Sequence, residues 1–108
     1  MMTVNEYQEL AMRTAEQQGR CWGNVGMGLA GEAGECADIV KKYLYQGHPL
    51  DRKEMIKELG DVAWYLALGA TVAGVTLEEV LAENIKKLLG RYPDGFDPER
   101  SLHREAEA

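Results

Sequence analysis

GLAGEAGECADIV (residues 28–40) and KELGDVAWYLAL (residues 57–68) hold two acid pairs at one spacing, Glu32 with Glu35 and Glu58 with Asp61. In both stretches apolar residues recur with the period of a helix, so each reads as a helix carrying acids where its pattern is apolar. A helix turns roughly 100° per residue, so positions three apart lie about 60° apart on one face. Taking Glu32 as the origin, Ile39, Tyr43, Cys36, Leu29 and Val40 all fall within about 80° of it. Tyr65, Gly69, Val62, Met55 and Leu66 surround Glu58 in the same way. The first acid of each pair is thus predicted near the middle of a buried stripe and the second toward its edge. Ionised carboxylates are costly to bury unless paired or bound to a metal. Four of them with no basic residue among them would repel one another. A hard divalent cation with oxygen ligands removes that conflict, which points to Mg2+, with Mn2+ as a substitute.

Helix signals punctuate the rest of the chain. Thr3 and Glu6 form a capping-box pair, opening a first helix expected to run to about Gly19. RCWGNVGM (20–27) reads as a connection, and a second helix is expected from Asn24 or Met27 to Tyr45, with Gly47 as terminator. Asp51 and Glu54 open a third helix reaching Ala73 before Gly74. Thr76 and Glu79 open a fourth, ending near Gly90. Beyond it, Pro93, Gly95 and Pro98 in RYPDGFDP are expected to forbid regular helix. No alternating strand pattern competes, so the class is all-α. Residues 1–97 read as a single domain, and 98–108 as a charged, mobile tail.

Composition sets the outer limits. A chain of 108 residues is short and buries a limited core, for which pairing with another copy is a common remedy. A net charge of −6 argues against a nucleic-acid polymer as partner. The opening MMTVNEYQEL lacks the form of a secretion signal, and no apolar run approaches membrane-spanning length. Cys21 and Cys36 suggest no disulfide framework, so a cytoplasmic setting is expected.

The donor set also excludes some chemistry. Ferritin-like di-iron sites use Glu-x-x-His pairs, whereas here the third positions are Glu35 and Asp61, and His48 and His103 fall in a turn and the tail. Mg2+ usually completes its shell with water and substrate phosphate. Phosphoanhydride hydrolysis is therefore the natural expectation, the metal screening the polyphosphate and lowering the pKa of water.

The pattern Glu-x-x-Glu, twenty-two residues, Glu-x-x-Asp resembles the MazG-like nucleoside triphosphate pyrophosphohydrolases. GLAGEAGE, YQGHPLD, KELGDVAWYLA and NIKKLLGRYPDGF are similar to that family's segments in the same order, over residues 22–97. The resemblance implies a four-helix bundle of the all-α NTP pyrophosphatase type, assembled as a homodimer or dimer of dimers (homotetramer). It implies Mg2+ held by Glu32, Glu35, Glu58 and Asp61. It also implies cleavage of a (d)NTP between α- and β-phosphorus to monophosphate and pyrophosphate, for nucleotide pool cleaning or balance. Glu35, at the edge of its stripe, is the choice for the catalytic group that orients the attacking water. Asn84, Lys87 and Arg91 share a face of helix four, and the resemblance places phosphate or substrate contacts there, matching Asn84 and Lys87 best. A solvated basic helix end is the plain alternative.

Other residues carry two readings each. Tyr65 follows Asp61 by one turn and either bonds substrate or packs. Trp22 either stacks on a base or packs at the core edge. Trp64 points about 120° from Glu58 and is expected at a contact between subunits. Gly28, Gly31 and Gly34 serve either close helix packing or space beside the glutamates. Asp38 is expected to be solvated. Two rival functions stand beside the first: a phosphoribosyl-ATP pyrophosphatase-like enzyme, and a non-catalytic helical dimer acting as an interaction module.

Overall fold

A computed structural model describes residues 1–104. Helix α1 spans Val4–Met12, α2 Trp22–Tyr45, α3 Arg52–Ala73, α4 Leu77–Arg91 and α5 Pro98–Leu102, with a 3-10 turn at Gln17–Gly19. Among the described residues there is no strand, only an isolated bridge between Pro93 and Gly95. The all-α class is as expected. No single helix among them is long and apolar enough to cross a membrane. The chain divides into two compact units, Met1–Leu77 and the part from Glu78 onward.

In the first unit α3 packs against both α2 and α1. The core is small: Ala11, Met12, Val25, Ala67, Leu68, Ala70 and Leu77, with Tyr7, Leu29, Trp64, Tyr65 and Val72 packed on it. Three of these seven buried residues are alanines, so the backbones approach closely and few large side chains are enclosed. Gln8 fastens α1 to the end of α3. Its Nε2 donates to Thr71 Oγ1 (3.0 Å) and the Val75 carbonyl (3.3 Å), and its Oε1 accepts from the Leu77 amide at 2.7 Å.

The helix starts follow their caps. Thr3 and Glu6 exchange both capping-box bonds at 3.1 Å, and Asp51 accepts from the Glu54 amide at 3.0 Å. Such caps contribute roughly 1 kcal/mol each. Gly47 (φ 72) and Gly74 (φ 79) supply the left-handed residues that follow α2 and α3.

Helix α1 departs from expectation by stopping at Met12 rather than near Gly19. The cause is tertiary. The Ala11 carbonyl accepts from Trp64 Nε1 and from Thr14 Oγ1, and the Met12 and Ala15 carbonyls accept from the Arg20 guanidinium. Acceptors a longer helix would use are taken, and the chain tightens into i→i−3 bonds through Ala15.

In the second unit α4 is followed by a turn in which Gly95 has φ 98 and Tyr92 packs on Phe96 with ring centroids 5.2 Å apart. Pro98 does not forbid helix, contrary to the sequence reading. It occupies the first turn of α5, where a missing N–H costs nothing, and the Asp97 carboxylate caps the Glu99 amide. Of the tail 98–108, residues 98–102 are thus helical, and 105–108 lie outside the described residues.

Candidate metal centre

The antiparallel pairing of α2 and α3 brings Glu32, Glu58 and Asp61 together. One carboxylate oxygen from each lies within 4.8 Å of the other two. Glu32 and Glu58 are half-buried and Asp61 is exposed, the gradient expected from their places on the helical stripes. Glu35 is exposed and stands outside this trio, though its charge reaches Glu58. Among the described residues no lysine or arginine forms an ion pair with the three; Lys42, whose field touches Glu35, is held by Asp38 at 2.9 Å. Asp38 is therefore paired rather than simply solvated.

Glu58 bears the strain of this arrangement. Its Oε2 is closed off from solvent and meets no donor in the protein. Its carboxyl is pushed up to about 7. Hydrogen bonding with the Glu32 carboxyl is the largest cause, followed by burial and by the charges of Glu32, Asp61 and Glu35. The same negative field touches Tyr7, whose phenol is raised first by burial and then by Asp61.

An unsatisfied sealed oxygen and three converging carboxylates, with no cation beside them, fit a hard divalent ion. Oxygens on one Mg2+ lie at most about 4.2 Å apart, so the widest gap here closes with a small side-chain rotation. Glu32, Glu58 and Asp61 would hold such an ion. Glu35 is one turn away on the same helix.

Beside the trio opens a cleft of about 400 Å³ whose walls are Thr14, Glu32, Asp61, Trp64 and Tyr65. Tyr65 is half-buried and stands edge-on to Trp64, with centroids 5.0 Å apart and planes at 80°. Its ring lies on Gly28, where a Cβ would overlap it. Close packing therefore explains Gly28. No side chain approaches Gly31 or Gly34 in this way. Trp64, expected at a subunit contact, instead turns inward: Nε1 donates to the Ala11 carbonyl (3.0 Å) and Thr14 Oγ1 (2.9 Å). Thr14 was missed in the sequence because only its distant partner Trp64 brings it to the cleft. Trp22 is 62% exposed at the start of α2.

Asn84, Lys87 and Arg91 belong to the second unit. Lys87 and Arg91 line a groove of about 440 Å³ on α4 with Glu83, Lys86 and Gly90. Asn84 is exposed on the same helix. The groove is basic by three residues to one, which suits an anion.

Residues 24–96 match the family described as the MazG nucleotide pyrophosphohydrolase domain. The Gene 37 protein of Mycobacterium phage L5 is 43% identical over 75 residues, which is 66% of this chain and 66% of that protein. The chain thus spans just under two thirds of that relative's length. No solved structure matches.

Proposed function

The chain belongs to the MazG nucleotide pyrophosphohydrolase family, and from that premise we propose that it is a Mg2+-dependent hydrolase of (d)NTPs. Water would add across the bridge between α- and β-phosphorus, giving a nucleoside monophosphate and pyrophosphate, for nucleotide pool cleaning or balance. The observation that carries this reading is the carboxylate trio, with Glu58 Oε2 sealed and unpartnered at its centre. A Mg2+ ion bound there would screen the polyphosphate and acidify water.

The chain's own residues supply the rest. Glu32, Glu58 and Asp61 grip the ion. Glu35, one turn on and facing solvent, joins them as a fourth ligand and orients the attacking water as an acceptor. Tyr65, fixed on Gly28 beside Asp61, offers a phenol to a phosphate oxygen. Asn84, Lys87 and Arg91 bind the substrate's anionic end, and exposed Trp22 offers a ring to the nucleoside.

The fold is a four-helix bundle of the all-α NTP pyrophosphatase type, and its partners are the triphosphate and a second copy, as a homodimer or homotetramer. The first unit supports this with exposed apolar side chains at Val40 and Leu44 of α2 and Ile56, Leu59 and Leu66 of α3, which a second copy would cover. We propose a cytoplasmic setting, with neither nucleic-acid polymer nor membrane as partner. Incubation with a nucleotide panel and Mg2+ should release pyrophosphate. Release of inorganic phosphate alone would mean that another bond is cut and would overturn the reading.

A further inference from the structure

A second hollow, of about 280 Å³, adjoins the carboxylate cleft, and both have Thr14 and Trp64 in their walls. Its remaining walls include Glu16, Gln18 and Asn24, none of which serves the carboxylate chemistry. We infer that this hollow receives the base of the nucleotide, and that it favours a base with an exocyclic amino group over uracil or thymine. The inference rests on the hydrolase reading for its ligand and adds the specificity that reading lacks.

Position comes first. A nucleotide whose phosphates face Glu32, Glu58 and Asp61 must extend its base out of the cleft, and this hollow continues it past Thr14 and Trp64. The two spaces together are of the size that small-molecule sites require, about 300–1,000 Å³. Trp64 gives the shared wall an aromatic surface. Because its Nε1–H is already committed to Ala11 and Thr14, the indole offers its ring and no donor, which suits stacking against any base.

The polar groups then discriminate. Asn24 donates one Nδ2 hydrogen to the Gly19 carbonyl at 2.9 Å, which fixes the amide and leaves Oδ1 as an acceptor beside one remaining N–H. Gln18 donates one Nε2 hydrogen to Glu16 Oε2 at 3.1 Å, leaving Gln18 Oε1 and Glu16 Oε1 as acceptors and one Gln18 N–H as a donor. The Thr14 hydroxyl gives its proton to the Ala11 carbonyl. Arg20, which follows Gly19 in the chain, is turned onto the Met12 and Ala15 carbonyls. The hollow therefore presents three acceptor oxygens, one of them a carboxylate, against the two amide N–H donors left on Asn24 and Gln18. An exocyclic amino group brings two N–H donors to such a wall. Opposite the Glu16 carboxylate, the keto oxygen of uracil would instead face a negative charge, and that like-sign contact is what disfavours it.

Two parallel measurements on the full chain with Mg2+ test this. Titration with dCMP and dUMP, followed at the Trp64 indole N–H resonance, reads the base alone. Pyrophosphate release from dCTP and dUTP reads turnover. We expect dCMP to bind about tenfold more tightly, roughly one charge-assisted hydrogen bond, and kcat/KM to favour dCTP by a similar factor. Glu16→Ala with Gln18→Ala, both at exposed positions, should bring both ratios close to one. Equal or tighter dUMP binding, or a preference that survives the double substitution, overturns the inference. Pyrophosphate released equally from both triphosphates leaves the hydrolase standing and the base hollow refuted. A dCMP preference that the double substitution erases, with no pyrophosphate from either triphosphate, does the reverse.

Discussion

The Tyr65 ring on α3 lies against the Cα of Gly28 on α2, so closely that a methyl group at position 28 would fall within the ring. This contact sets the distance between the two acid-bearing helices and holds the phenol at the mouth of the carboxylate cleft. Gly28→Ala should therefore destabilise the protein by about 1–3 kcal/mol, the usual cost of overpacking, and lower activity by displacing Tyr65. Gly34→Ala meets no neighbour and should instead gain up to about 1 kcal/mol. Thermal melts of the two variants check the contrast. A melting point for Gly28→Ala equal to that of the parent would show that the ring moves aside freely.

Glu58→Gln removes one charge from a repelling trio while keeping its shape. Metal-free, this variant should be as stable as the parent or more so. Mg2+ binding, followed calorimetrically, should weaken. Turnover should fall by more than the roughly 10- to 100-fold that loss of an outer-shell partner costs. Full activity in this variant would remove Glu58 from the ligand set.

The raised Glu58 carboxyl makes metal-free stability depend on pH with a definite sign. Between its ordinary value of 4.5 and about 7, the folded state holds a proton that the unfolded chain has released. Stability from this group is therefore complete below pH 4.5 and is lost as pH rises through about 7. Melting in the presence of a chelator should show this decline, and Glu58→Gln should flatten it. Added Mg2+ should raise the melting point most above pH 7, where no proton competes. A parent melting curve that does not change across this range would refute the coupling.

Trp64→Phe deletes the Nε1 donor that serves the Ala11 carbonyl and Thr14 Oγ1. The Ala11 carbonyl keeps Thr14 as a donor, so no buried acceptor is orphaned and a loss of about 1 kcal/mol is expected, the net worth of one hydrogen bond. Amide exchange should quicken over residues 11–15. If exchange there is unchanged, this bond does not hold the end of α1.

Lys87→Ala should raise KM for the triphosphate by roughly tenfold, the loss of one charge-assisted contact, with a smaller change in kcat. Initial rates at low and saturating substrate separate the two. An unaltered kcat/KM would return Lys87 to an ordinary solvated helix face.

How much of this could be read in advance depends on the distance over which each cause acts. Thr3, Asp51, Gly47 and Gly74 bound helices because capping and left-handed φ act over a few residues. The acid pairs share a face because three residues make a fixed angle. Trp64 was misplaced because its hydrogen-bond partners are 53 and 50 residues away, beyond any local period. Pro98 was misread because a proline starts a helix as readily as it ends one, and the Asp97 cap decides which.

The sequence alone therefore determined the all-α class, most helix limits and the acids suited to a cation, since periodicity, caps and charge burial are local. Only the tertiary structure decided that α1 ends at Met12, that Tyr65 requires Gly28, and that Glu32, Glu58 and Asp61 converge while Glu35 stands apart. Those outcomes arise where α1, α2 and α3 meet, and the packing of backbones brought close by alanine and glycine selects among side-chain arrangements that the linear pattern leaves equal.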